Sequence, residues 1–158
     1  MRKTQVALNS QEASAADSVS GWLDICELST AEISSEDPNH PLEHALQPGH
    51  PGGWRAAHAG KQRIKLQFDQ PQRLSHLHLE FTETQVSRSQ EFALFVRTVT
   101  EPRRELRRQQ WSFSPSGSTV EVEDYTVDLQ GVMELELELD PGRHDMGAFA
   151  SLQAFLMK

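Results

Sequence analysis

The chain has 158 residues, a net charge of −8 with histidine neutral, and a single cysteine, Cys26. That length predicts one domain with a self-sufficient core. One cysteine excludes an internal disulfide framework and a zinc ribbon built from cysteines.

Residues 1–20 are polar and poorly periodic, and are read as a lead-in to a single β-sandwich domain over 21–158. Thr4, Gln5, Asn9, Ser10 and Gln11 interrupt any apolar stretch after Met1-Arg2-Lys3, so no secretion signal is read. The longest apolar run, near Phe92–Val96, is too short to cross a membrane as a helix. The expected setting is reducing and cytoplasmic. Trp22–Leu28 is a first apolar segment, read as a strand. Ser34 to Gly53 is a long loop punctuated by Pro38, Pro41, Pro48, Pro51, Gly49, Gly52 and Gly53. Within it Pro41–Leu46 predicts one helical turn, with proline at the first position.

From Gly60 onward the period is two. Ile64, Leu66 and Phe68 alternate with Arg63, Lys65 and Gln67, and Leu77, Leu79 and Phe81 alternate with His76, His78 and Glu80. Phe92–Val96 reads as a strand buried on both faces. Val120 and Val122 alternate with Glu121 and Glu123, and Leu135, Leu137 and Leu139 with Glu134, Glu136 and Glu138. Asp69-Gln70-Pro71, Pro115-Ser116-Gly117 and Asp140-Pro141-Gly142 are read as turns. Short strands with such punctuation and no long amphipathic helix predict an all-β sandwich or barrel. Three glutamates on one strand face repel unless bases lie opposite, so Arg63 and Lys65 are expected within one or two strands of Glu134, Glu136 and Glu138.

These segments resemble discoidin-like domains, the coagulation-factor C-type or galactose-binding-like family of jelly-roll β-sandwiches. The resemblance runs from about Cys26 to Lys158. It rests on the loop leading into Trp54, the alternating strands after Gly60, and Trp111. One stretch is more specific. Ser34, Ser35, Asp37, His40, Glu43 and Leu46, followed by Trp54-Arg55-Ala56-Ala57-His58-Ala59-Gly60, are similar to the N-terminal domain family of the vertebrate single-strand-break repair scaffold. That resemblance implies a non-catalytic domain that docks a repair polymerase and touches damaged DNA. Many discoidin-like sugar binders carry acids that help hold a structural calcium. Here Leu46-Gln47-Pro48-Gly49 and the final strand lack them, so no metal and no other cofactor is expected.

Candidate contacts are the loop histidines His40, His44 and His50, together with Arg88 and Trp111. Trp54 is expected in the core, and Trp111 is read as either core or partner surface. Arg103, Arg104, Arg107 and Arg108 form a basic cluster that suits an anion or acidic partner, or else a solvated hairpin connection. His76 and His78 share one strand face, read as solvated rather than as a metal pair. No nucleophile elbow, zincin motif or phosphate loop is present in the sequence, and Asp24 and Glu27 would raise the Cys26 thiol, so no enzyme is expected. The function read is recognition, most directly as a scaffold domain binding a protein partner. The alternatives are a carbohydrate-binding module and a module contacting nicked DNA. The net charge disfavours the last of these. The oligomeric state stays open.

Overall fold

The computed structural model describes residues 21–142 and 147–158. The lead-in expected over residues 1–20 lies outside the described residues. The elements in chain order are α1 (Ile25–Leu28), β1 (Ser29–Ile33), α2 (Glu43–Leu46), β2 (Trp54–Ala59), β3 (Gln62–Thr82), β4 (Arg88–Thr98), β5 (Arg104–Phe113), β6 (Val120–Asp140), β7 (Phe149–Leu152) and β8 (Ala154–Met157).

The frame is one long antiparallel ladder of β3 and β6, with β4 and β5 between them in the chain. It pairs along two stretches, Gln62–Gln67 against Leu139–Glu134 and His76–Thr82 against Thr126–Val120, with register shifts between Gln67 and His76. Such bulges bend a strand and raise its twist, so two strands serve both layers of the sandwich. On the first stretch β1 pairs β3, β4 pairs β6, and β5 pairs β4. On the second, β8 pairs β3. A separate small ladder joins β2 to β7. The layers meet through Phe81, whose ring lies 5.3 Å from that of Phe92 on β4. Ile64, Leu66, Phe68, Leu77, Leu79, Leu135, Leu137 and Leu139 are all buried in one cluster with them. Each such side chain contributes about 1.5–3 kcal/mol when fully buried.

The structure corrects several expectations. Trp22–Leu28 is not a strand: Asp24 accepts a hydrogen bond from the Glu27 amide at 3.2 Å and caps the short helix α1. Asp69-Gln70-Pro71 is not a turn but lies within β3, at the bend, where an exposed proline breaks no ladder that the bulge has not already interrupted. The arginine-rich segment is not a hairpin connection, since Arg104, Arg107 and Arg108 stand on β5. Phe92–Val96 is covered on its outer side by a side chain rather than by a layer: the Arg103 guanidinium carbon lies 3.7 Å from the centre of the Phe95 ring.

The charged stripe is arranged as the alternation requires. Arg63 stands directly opposite Glu138, Lys65 opposite Glu136 and Gln67 opposite Glu134. Arg97 reaches Glu134 at 3.2 Å, and Arg103 Nε reaches Glu136 at 2.8 Å.

A cleft built by the loop motif and the end of the sheet

The residues of the Ser34–Gly60 motif act mainly as ties. Ser35 Oγ donates to Gln62 Oε1 at 2.7 Å and accepts from the Ala57 amide at 3.0 Å. Its carbonyl accepts from Trp54 Nε1 at 3.2 Å. The Asp37 amide donates to the Arg55 carbonyl at 2.8 Å, and the Arg55 amide donates to the His40 carbonyl at 3.1 Å. These bonds fasten the loop to β2 and satisfy backbone groups that the ladder leaves open. Gly53 sits at φ +64, and a Cβ there would stand 2.8 Å from the Leu152 carbonyl oxygen, so glycine alone lets this loop close onto β7.

The product of this fastening is a cleft of about 810 Å³. One wall is the Asp37–His40 turn with Gly52–Ala57, the second is the Thr82–Val86 connection, and the third is Gly147–Gln153. Arg55, on β2, is exposed in it. Val86 and Phe149 also line it, each 49% exposed, more than a core side chain would be. Glu83 lies alongside, bound to Arg88. Burial alone would raise its carboxyl, but hydrogen bonds from Arg88 and from the Gln85 amide outweigh that and hold it below the usual carboxylate value.

Of the residues singled out from sequence, the structure brings His40, Trp54 and Arg88 to this cleft. His40 is tied by its Nδ1, 3.2 Å from the Gly52 carbonyl oxygen. Trp54 is 1% exposed and forms the base of the wall. Arg88 is not a loop contact: its guanidinium is buried. Nε bonds Glu83 at 2.7 Å, and Nη1 bonds Gln90 at 2.9 Å and the Pro141 carbonyl at 2.8 Å. His44 and His50 are not lining groups. Their rings stack on each other with centroids 3.9 Å apart, beside Gly52. Burial, and after it the neighbouring His50, lower the His44 value.

Trp111 is half-buried on β5 and donates to Ser118 Oγ at 3.1 Å, away from the cleft. The arginine cluster does not converge on a shared ligand position. Arg103 binds Glu136 and Glu138, Arg104 binds Glu101 at 3.2 Å, and Arg108 binds Glu91 and Glu105. Arg107 lies over the Tyr125 ring at 5.2 Å. Sequence reasoning missed Val86, Phe149 and the Thr82–Gln85 connection. Arg55 was visible only as a member of the motif, not as a cleft side chain.

Behind the cleft, β6 shows a reversal. Val120 and Val122 are exposed, whereas Glu121 is fully buried and accepts from Gln90 Nε2 at 3.0 Å. Burial, opposed by that hydrogen bond and reinforced by Glu123, pushes Glu121 up to about 7. Tyr125 donates to Glu123 at 3.1 Å. Burial and Glu123 together raise the phenol well above its ordinary value.

Residues 26–99 match the family model of the XRCC1 N terminal domain. No curated protein matches the chain by sequence. Among solved structures, the family 32 carbohydrate-binding module of C. perfringens NanJ, in complex with galactose, aligns with a TM-score of 0.59 at 14% identity, covering 82% of this chain and 92% of that one. The corresponding module of AlyQ, in complex with 4,5-unsaturated mannuronic acid, aligns at 0.58 and 14%, covering 83% and 95%. Reduced XRCC1 bound to the DNA pol beta catalytic domain aligns at 0.56 and 15%, covering 80% and 92%. At these identities the likeness is one of fold, and the fold is the galactose-binding-like β-sandwich.

Proposed function

We propose that this domain is a non-catalytic recognition module, an intracellular scaffold domain that takes a segment of a protein partner into the cleft. The observation that carries this reading is the cleft's composition. Val86 and Phe149 present apolar surface to solvent and Arg55 presents a guanidinium, while among the described residues no hydrogen bond in the cleft's walls pairs a nucleophile with a base. Apolar side chains beside a charged donor suit a peptide or loop with an apolar anchor and a carboxylate. The family match over residues 26–99 supports the same class, since the related XRCC1 structure is of a complex with a polymerase domain.

A glycan is the second reading. It is favoured by Phe149, an exposed aromatic lining the cleft, and by sugar complexes among proteins of this fold. Nicked DNA is disfavoured by the net charge of −8 and by the neutralisation of Arg103, Arg104 and Arg108 by glutamates.

Three parallel assays separate these classes: cross-linked capture of protein partners with the purified domain, a glycan array, and titration of a nicked duplex. The protein reading expects a captured partner whose binding is lost in Arg55→Glu, and silence in the other two assays. Saturable glycan binding abolished by Phe149→Ala would replace it with the second reading.

A further inference from the structure

A second constellation lies outside the cleft, on the outer face of the smaller layer. His76 and His78 are two residues apart on β3 and so share one face. Asp124 on β6 stands directly opposite His78, and Thr126 stands opposite His76. Asp124 therefore reaches both rings. His76 Nε2 lies 2.8 Å and His78 Nδ1 lies 2.7 Å from the same carboxylate oxygen. The three candidate ligand atoms are all within 4.8 Å of one another. The side chains of His76 and His78 are partly open to solvent, which leaves an entry path.

We propose that His76, His78 and Asp124 form a binding site for a divalent transition ion of the zinc class. Two imidazoles and one carboxylate are the donor set that such borderline ions take, and three protein ligands leave a fourth position for water. Metal–ligand bonds of about 2.0–2.2 Å in a tetrahedron would open each N···O separation by roughly half an ångström, which a rotamer adjustment supplies. Each imidazole must then present a lone pair at the atom now facing Asp124 and keep its proton on the other nitrogen. For His78 the structure holds a partner for that proton: its Nε2 lies 3.5 Å from Glu80 Oε1. A carboxylate behind a ligating histidine fixes the tautomer that frees the opposite nitrogen. Trp22 covers the cluster, its ring 5.6 Å from His76 and 5.9 Å from His78. It shields one side and reports on the site.

The test uses the untagged full chain with Co²⁺ as the optical probe and Zn²⁺ as the competitor. The expected result is one equivalent of Co²⁺ with visible ligand-field absorption that Zn²⁺ abolishes, and a melting temperature that rises with Zn²⁺ concentration. Co²⁺ should quench tryptophan fluorescence, and Trp22→Phe should remove the quenching while leaving binding in place. Asp124→Asn, which keeps the side chain's shape, and His78→Ala should each weaken Co²⁺ binding roughly tenfold or more, and Glu80→Gln less. His58→Ala, at an exposed histidine elsewhere, should leave it unchanged. Folding of each variant is checked by its melting temperature in chelator. Absence of a saturable, Zn²⁺-competed signal, or affinity unchanged in a folded Asp124→Asn, would overturn the proposal.

Discussion

Glu121 is a carboxylic acid held in the interior rather than at the surface. It is fully buried with Gln90 as partner, and its Oε2 has none among the described residues. Its folded value of about 7 lies above the ordinary 4.5. The unfolded chain therefore releases this proton near pH 4.5, while the folded chain keeps it to about 7. Stability is full below the lower value, falls as pH rises between the two, and is level above the higher one. Glu121→Gln mimics the protonated acid at every pH. It should match the wild type near pH 4 and exceed it at pH 8 by on the order of 1–3 kcal/mol. Urea unfolding midpoints from pH 4 to 8.5 check this, and a variant less stable by the same amount throughout would contradict it. The alternation of Val120 to Glu123 was legible in the sequence, but which side faces the core was not. Period two gives two faces without naming the inner one, and the choice rests on Gln90 and Arg88, about thirty residues away on β4.

At the scale of elements, the β3–β6 register aligns three acids of one strand with Arg63, Lys65 and Gln67 of the other. A slip of β3 by one residue would turn Ile64 and Leu66 outward, away from Leu137 and Leu135, and part these charge pairs as well. The pairs differ in weight. The Glu136 side chain is 5% exposed beneath Arg103 and Arg63, and that of Glu138 is 46% exposed. Glu136→Gln should cost about 1–3 kcal/mol, because two guanidiniums lose a buried charge. Glu138→Gln should change stability by less than about 0.5 kcal/mol. Chemical unfolding of both variants at low and high salt checks this, with the Glu138 effect fading in salt. This pairing was readable because both strands alternate cleanly. The continuity of β3 through Pro71 was not, since a proline between polar residues carries the same signature in a turn and at a bulge. Nor was the meeting of His76 and His78 with Asp124, which lies 46 residues beyond His78 and becomes a neighbour only once β6 pairs with β3 across the intervening β4 and β5.

At the scale of the molecule, the sandwich positions a cleft whose walls come from distant parts of the chain. The Asp37–Ala57 and Thr82–Val86 walls fall within the residues that match the XRCC1 N terminal domain family, and the Gly147–Gln153 wall falls outside them. The first wall was legible through its motif. The third was not, because Phe149 follows Gly147-Ala148 with no periodic signal, and only the β2–β7 ladder, which sets Ser151 opposite Arg55 and Phe149 opposite Ala59, brings this wall to β2. Recognition is assigned to this cleft. The most direct test is partner capture by the domain carrying Arg55→Glu together with Phe149→Asp, read beside the melting curve. Both side chains are exposed, so stability should stay within about 1 kcal/mol of wild type and the partner captured by the wild type should be lost. Undiminished capture by the folded double variant would contradict it.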